Sequence, residues 1–255
     1  MKLKFAHKVR RAAAFTLIEL MVVVAIIASL AAVSWGPILD KLNDGDRTAA
    51  VSNMKNVYST LMDFNNSYGS FPCDGTAQDI EEEKGEEATQ YGPIKGNYAN
   101  DYLRQLFFLN NVGTSFEGNF YAKIAIADGR KIKEADKKVN GGEALSKGEC
   151  GFGYVMRTDP DNPQVRTPVT GNDATPILLS SVSSKAPTKA ADTRYDMNSF
   201  RGNLLYFTIS NSGGQKKLVE ADDSGDYGTP EKSLFGEDKK GRDNGSKYIV
   251  MPPNL

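Results

Sequence analysis

The chain has 255 residues, enough to bury a hydrophobic core in one large domain or two small ones. Its 31 basic and 32 acidic residues nearly balance, but five of the basic residues and none of the acidic ones lie in residues 1–14. Without that segment the chain keeps 26 basic and 32 acidic residues, a net charge of −6. This acidic balance disfavours general binding to a phosphate backbone.

The single histidine, His7, lies in the same basic segment. If the segment is removed, the remaining chain has no imidazole for general-base catalysis or metal binding. Ser-His-Asp and Cys-His nucleophile systems are then excluded, and two cysteines cannot complete the usual four-ligand zinc site. Catalysis by carboxylates stays open.

The most hydrophobic segment is residues 15–35, which read FTLIELMVVVAIIASLAAVSW with Glu19 as the single charge. As a helix rising about 1.5 Å per residue it would cover roughly 30 Å, the thickness of a bilayer core. All the basic residues of the leader precede it, so the positive-inside rule places residues 1–14 in the cytoplasm and the chain after Pro37 outside. The small residues at 12–14 also precede it, so cleavage there would remove the leader and keep the helix.

Pro37 predicts a kink or a break at the end of this helix. A second helical stretch is predicted to follow, with Asp46 as its N-cap and Gly69 as its C-terminal stop. Three- and four-residue spacing predicts one apolar face, made of Val51, Met54, Val57, Tyr58, Leu61, Phe64 and Tyr68.

Residues 69–97 read as a loop, and the acidic run at residues 81–87 as a solvated face. Asn100 is predicted to cap a short helix with Tyr102, Leu103, Leu106 and Phe107 on its apolar face. Runs of β-branched and aromatic residues predict strands at 120–127, 151–156, 177–183, 203–210 and 247–251. The polar segments between them are predicted insertions and loops. We therefore predict an α+β fold in which an antiparallel sheet packs against the helix of residues 47–68.

The heptapeptide AFTLIEL at residues 14–20, between a basic leader and an apolar helix, resembles the type IV prepilin processing site. NMKNVYSTLMDFNNSYGSFP, at residues 53–72, resembles the end of the long helix in pilins and type II secretion pseudopilins. Residues 100–108 and 148–156 resemble, more loosely, the soluble domains of large pilin-like proteins. The resemblance implies a pilin-like division into a leader, a transmembrane or filament-core helix, an amphipathic second half of that helix, and an extracytoplasmic globular domain, at residues 1–14, 15–36, 37–68 and 69–255.

The resemblance also implies a maturation route. A prepilin peptidase would cut between Ala14 and Phe15, the new amine of Phe15 would be methylated, and mature subunits would polymerise with their hydrophobic helices in the filament core. The family usually has glycine before the cut, so Ala14 predicts slower processing. The implied partners are the peptidase, other pilin or pseudopilin subunits and an inner-membrane assembly platform. The implied location is the bacterial inner membrane, as a single-pass protein with its soluble domain outside the cytoplasm, and a periplasmic or extracellular filament after assembly.

Glu19 is a carboxylate in an apolar helix, which requires a compensating interaction. It would be the fifth residue of the mature chain, where the helix dipole favours a negative charge. In a filament it could pair with the Phe15 ammonium of its own or a neighbouring subunit, which predicts a role in assembly. The alternative is a glutamate that reaches the lipid headgroups.

Three further groups of residues have more than one interpretation. Cys73 and Cys150 lie on the predicted extracytoplasmic side, where they form a possible disulfide or stay as two thiols. Calcium is the only cofactor suggested, through the oxygen ligands of Asp222, Asp223 and Asp226, with a plain polar turn as the alternative. A basic cluster at residues 131–138 reads as a solvated face or a DNA contact.

Three functions follow from these observations. The preferred one is a structural subunit of a type IV pilus or type II secretion pseudopilus, with no enzymatic activity and no nucleic-acid partner expected. The second is a membrane-anchored binding module or enzyme that uses the helix only as a tether. The third is a DNA-uptake pilin, which requires an exposed basic stripe.

Overall fold

The computed structural model describes residues 16–123, 132–159, 162, 164–170, 174–221, 223–232, 234–235 and 247–255, without the side chains of residues 35–40. The first element is helix α1, Leu17–Tyr68. Contacts within the chain divide it into two units, which meet in sequence between Leu42 and Asn43.

The first unit contains the apolar part of α1. Its Leu17–Ser34 window has a mean hydropathy of 2.5, and none of it is buried within the protein. The helix is assigned without interruption through Gly36 and Pro37, so the predicted break and the new N-cap at Asp46 are wrong. A proline removes only one main-chain hydrogen bond, which a helix of 52 residues tolerates.

In the second unit, the rest of α1 packs through one face. That face is buried at Ala50, Met54, Val57, Tyr58, Leu61 and Phe64. The predicted face is confirmed except at Val51, which is 41% exposed and is replaced by Ala50, while Tyr68 is half-buried. The helix ends at Tyr68, and Gly69 follows with φ of 74°, as predicted.

Between residues 69 and 120 the structure is mostly helical, so the predicted loop at 69–97 is wrong. The elements are α2 (Asp74–Lys84), α3 (Ala99–Leu103) and 3₁₀ helices at Gly85–Thr89, Arg104–Phe108 and Thr114–Phe120. Cys73 caps α2, exchanging hydrogen bonds with Thr76 (Cys73 N–H to Thr76 Oγ1, 2.9 Å). Tyr98 rather than Asn100 is the N-cap of α3, because the amide of Asn100 instead donates to Leu145 O (2.8 Å).

The described residues form nine strands in one antiparallel sheet. Their order is β4-β9-β1-β3-β6-β7-β8-β5, with β2 paired to β1. An isolated bridge between Val182 and Tyr195 joins β5 to the chain just after β3, so the sheet curls. The strands are β1 (Phe152–Thr158), β2 (Arg166–Thr167), β3 (Pro176–Ser180), β4 (Thr188–Lys189), β5 (Tyr195–Asp196), β6 (Asn203–Thr208), β7 (Gly213–Glu220), β8 (Tyr227–Pro230) and β9 (Tyr248–Met251).

Four of the five predicted strands are confirmed, as β1, β3, β6 and β9. The fifth, at 120–127, is wrong where it is described, because Phe120 ends a 3₁₀ helix and residues 121–123 are not in a strand. Residues 124–127 lie outside the described residues. Strands β7 and β8 fall in a segment predicted as loop.

The predicted packing of helix against sheet is confirmed. The ring of Tyr58 on α1 lies 4.7 Å from that of Phe207 on β6, and its hydroxyl donates to Ile209 O at 2.6 Å. The chain therefore has the predicted α+β architecture, with its core between α1 and the curled sheet.

Candidate functional site

The first turn of α1 carries the single charge of the apolar helix. Glu19 Oε2 accepts hydrogen bonds from both the N–H and the Oγ1 of Thr16, each at 2.8 Å. Thr16 Oγ1 in turn accepts the N–H of Glu19 at 3.3 Å. Thr16 and Glu19 thus form a capping box, in which the residue before the helix and its third residue satisfy each other's free groups.

This capping box was missed at the sequence level, although its signal is present. A Thr-x-x-Glu spacing directly before an apolar run is the signature of the motif. The structure shows that one carboxylate oxygen of Glu19 is satisfied inside its own chain. Among the described contacts none goes to the other oxygen, Oε1, which is therefore left to accept a bond from outside.

The rest of the helix surface offers almost no polar groups. Every residue of the Leu17–Ser34 window is exposed. The hydroxyl of Ser29 donates to the carbonyl of Ile26 (2.8 Å). An apolar surface of this extent requires lipid tails or other apolar helices around it. The predicted processing residues, Ala14 and Phe15, lie outside the described residues.

A comparison with protein-family models matches residues 9–35 to the Prokaryotic N-terminal methylation motif. The chain carries the prepilin signature of type IV pilins and pseudopilins. This prepilin signature indicates a type IV pilin-like or pseudopilin precursor, and it covers the last six residues of the leader, the predicted cleavage pair, the capping box and the apolar helix. One apolar helix near the N-terminus agrees with single-pass anchoring in the inner membrane. No curated protein and no solved structure matches the chain.

Outside the prepilin signature, both cysteines are buried free thiols in the structure. Cys73 Sγ accepts the N–H of Thr76 at 3.5 Å, and Cys150 donates to Phe152 O at 3.4 Å. Burial raises the pKa of the Cys150 thiol to about 12. The disulfide between Cys73 and Cys150 stays a prediction.

The predicted calcium ligands are only partly described. Asp222 lies outside the described residues, while Asp223 and Asp226 lie on the turn between β7 and β8. The N–H of Asp226 donates to Ser224 Oγ at 3.2 Å, and its carbonyl accepts the N–H of Met197 at 2.9 Å. Calcium binding at these aspartates stays a prediction.

A polar cavity of about 800 Å³ lies between α2 and β2. One of its acids, Asp74, accepts the hydroxyl of Tyr102 (2.8 Å) and the N–H of Arg166 (2.7 Å), so both of its carboxylate oxygens hold neighbouring segments together. Burial and the negative charge of Asp74 raise the pKa of the Tyr102 phenol. Lys95 and Glu81 pair with each other across its rim at 2.8 Å. These contacts make the described cavity wall part of the scaffold.

Proposed function

We propose that this chain is a structural subunit of a type IV pilus or a type II secretion pseudopilus. The observation that carries the proposal is the prepilin signature on a helix that is exposed over its whole apolar span and has one acid in its first turn. A helix with this surface is suited first to a bilayer and then to a bundle of like helices. The basic leader supports an orientation with the globular part outside the cytoplasm.

In this proposal, prepilin peptidase cuts between Ala14 and Phe15, and the new amine is methylated. The capping box contains no atom of that peptide bond, since it is built from Thr16 and Glu19 alone. It therefore exists before the cut and persists after it. Glu19 keeps Oε2 on Thr16 and presents Oε1 to the ammonium of Phe15, in its own or a neighbouring subunit, as an assembly contact.

The mature subunit then divides as the resemblance implies. Residues 15–36 form the membrane and filament-core helix, 37–68 its amphipathic continuation, and 69–255 the extracytoplasmic domain. The buried face of α1 from Ala50 onward supports the division of this helix into two halves, because the second half is already packed against the sheet of its own chain. Assembly through an inner-membrane platform with other pilin-like subunits completes the proposal.

Processing is tested by producing the full chain with and without a prepilin peptidase and measuring the intact mass. The expected product begins at a methylated Phe15 and appears only with the peptidase. An Ala14→Gly variant restores the residue that the family usually has before the cut and is expected to be processed faster. Ala13→Gly, one position further away, is the matched control and should change nothing. A chain that keeps its leader beside an active peptidase would overturn the proposal.

A further inference from the structure

Two buried glutamates hold residues 132–148, named here the clamped loop. Glu117, which is fully buried, accepts the N–H of Leu145 on Oε1 (2.7 Å) and the N–H of Lys137 on Oε2 (3.1 Å). Glu149, which is 5% exposed, accepts the N–H of Ser146 on Oε2 at 2.7 Å. Its Oε1 accepts a longer bond of 3.3 Å from the N–H of residue 136. The clamped loop is therefore fixed to the domain through four of its own amides.

The clamp brings negative charges together. Oxygen atoms of Glu117, Glu149 and Asp136 all lie within 4.8 Å of one another. Two cations among the described residues lie near this cluster. Lys138 Nζ lies 3.8 Å from Asp136 at the exposed side. Arg104 is paired with an aspartate on α3 and donates to the carbonyls of Ala144 and Leu145 in the clamped loop. Within the described part of the chain, neither cation bonds to Glu117 or Glu149.

Two buried carboxylates at this separation are costly to ionise together, because each charge is desolvated and repels the other. Burial raises the pKa of Glu117, and the negative charges of Glu149 and Asp136 raise this pKa further. The hydrogen bonds from the Leu145 and Lys137 amides lower it, but the net shift is upward. A proton on Glu117 removes its charge, and with it both the desolvation cost and the repulsion from Glu149 and Asp136.

The backbone of the clamped loop is held in an unfavourable conformation at the same points. Lys137 and Leu145, whose amides bind Glu117, have φ of 64° and 46°. This left-handed region is uncommon for residues other than glycine and persists only where surrounding contacts impose it. Weakening the carboxylate clamp therefore releases strain in the loop.

We propose that Glu117 carries a proton in the closed form and, beside Glu149 and Asp136, acts as a pH-sensitive latch, closed while the proton is present and loosened when the proton leaves to solvent. A carboxyl whose pKa is raised by folding stabilises the closed form below the pKa of the open form. That stabilisation is lost as the pH rises through the raised pKa. The exposed lysines of the predicted basic cluster, Lys133, Lys137 and Lys138, lie on this loop, so their mobility would depend on pH.

The test is hydrogen–deuterium exchange of the full chain in detergent between pH 5 and pH 9, corrected for base catalysis with an unstructured reference peptide. Protection of peptides from the clamped loop is expected to fall by up to about tenfold per pH unit between the pKa of the open loop and the raised value, and then to level off. Glu117→Gln stays neutral and is expected to remove this pH dependence. Glu143→Gln, an exposed glutamate in the same loop, is the matched control and should keep it.

Glu149→Gln is the second variant if Glu117→Gln does not fold, and it should move the dependence to lower pH, because it removes one of the charges that raise the pKa of Glu117. Protection in the unaltered chain that does not change with pH would overturn the latch. The same holds if Glu143→Gln and Glu117→Gln behave alike.

Discussion

Replacing Arg104 by methionine is expected to destabilise the globular domain strongly. Its guanidinium is buried (6% exposed) and lies 2.7 Å from the carboxylate of Asp101, itself 8% exposed. It also donates to three carbonyls, those of Pro93 (3.0 Å), Ala144 (2.6 Å) and Leu145 (3.0 Å). Methionine fills a similar volume but leaves the carboxylate and the carbonyls without their donor.

The magnitude follows from the cost of a buried charge without a partner. Removing one partner of a buried ion pair typically costs about 3–5 kcal/mol. For a domain of this size, each kcal/mol shifts Tm by about 2–4 °C, so the expected fall is roughly 6–20 °C. Thermal unfolding of the full chain in detergent, followed by near-UV circular dichroism, measures it.

Two comparisons make this prediction specific. Arg104→Lys keeps the charge beside Asp101 but loses the planar fork that reaches several acceptors, so an intermediate fall is expected. Lys84→Met removes one partner of an exposed pair (Lys84 Nζ to Glu83, 2.7 Å) and should leave Tm unchanged within error. If Arg104→Met unfolds at the same temperature as Lys84→Met, the account of Arg104 as a buried anchor is refuted.

Three further predictions concern other parts of the chain. Tyr58→Phe removes the hydroxyl that donates to Ile209 O and should lower the free energy of unfolding by about 1 kcal/mol, measured by urea titration. An unchanged free energy of unfolding would mean that this hydrogen bond is not formed. Thr16→Val removes the hydroxyl half of the capping box of Glu19 and should reduce recovery of the subunit in sheared filaments. Thr16→Ser keeps a hydroxyl and should be recovered like the unaltered chain. Equal recovery of Thr16→Val, Thr16→Ser and the unaltered chain would contradict the role of the hydroxyl. The Cys150 thiol, with its raised pKa, should resist maleimide at pH 8 and react only after unfolding in denaturant, so fast labelling of the folded chain would contradict its burial.

The parts of the fold that were predicted correctly have strong apolar periodicity. The buried face of α1 repeats at helical spacing, and β1, β3 and β9 are almost wholly buried. Helix α2 was not predicted, because it has few buried positions and because its N-cap is a cysteine, which is not one of the residues that usually cap helices.

Strand β7 was not predicted either, because most of its side chains are exposed and show no apolar pattern. It is held mainly by main-chain pairing to β6 and β8. Of the two carboxylate sites, the Thr16–Glu19 box is local and readable from its spacing. The proximity of Glu117 and Glu149 cannot be read from the sequence, because it depends on how the chain folds between them.

We propose that the chain is cut before Phe15 and assembles through Glu19. This is tested by the intact mass and the amount of the subunit in filaments sheared from cells, compared with the membrane fraction. We expect a methylated N-terminus at Phe15 in the filaments, and loss of Glu19→Gln from the filaments but not from the membrane. The control Glu87→Gln, an exposed acid far along the sequence, should assemble normally. Filaments that contain chains beginning at Met1, or that incorporate Glu19→Gln as well as the unaltered chain, would contradict the account.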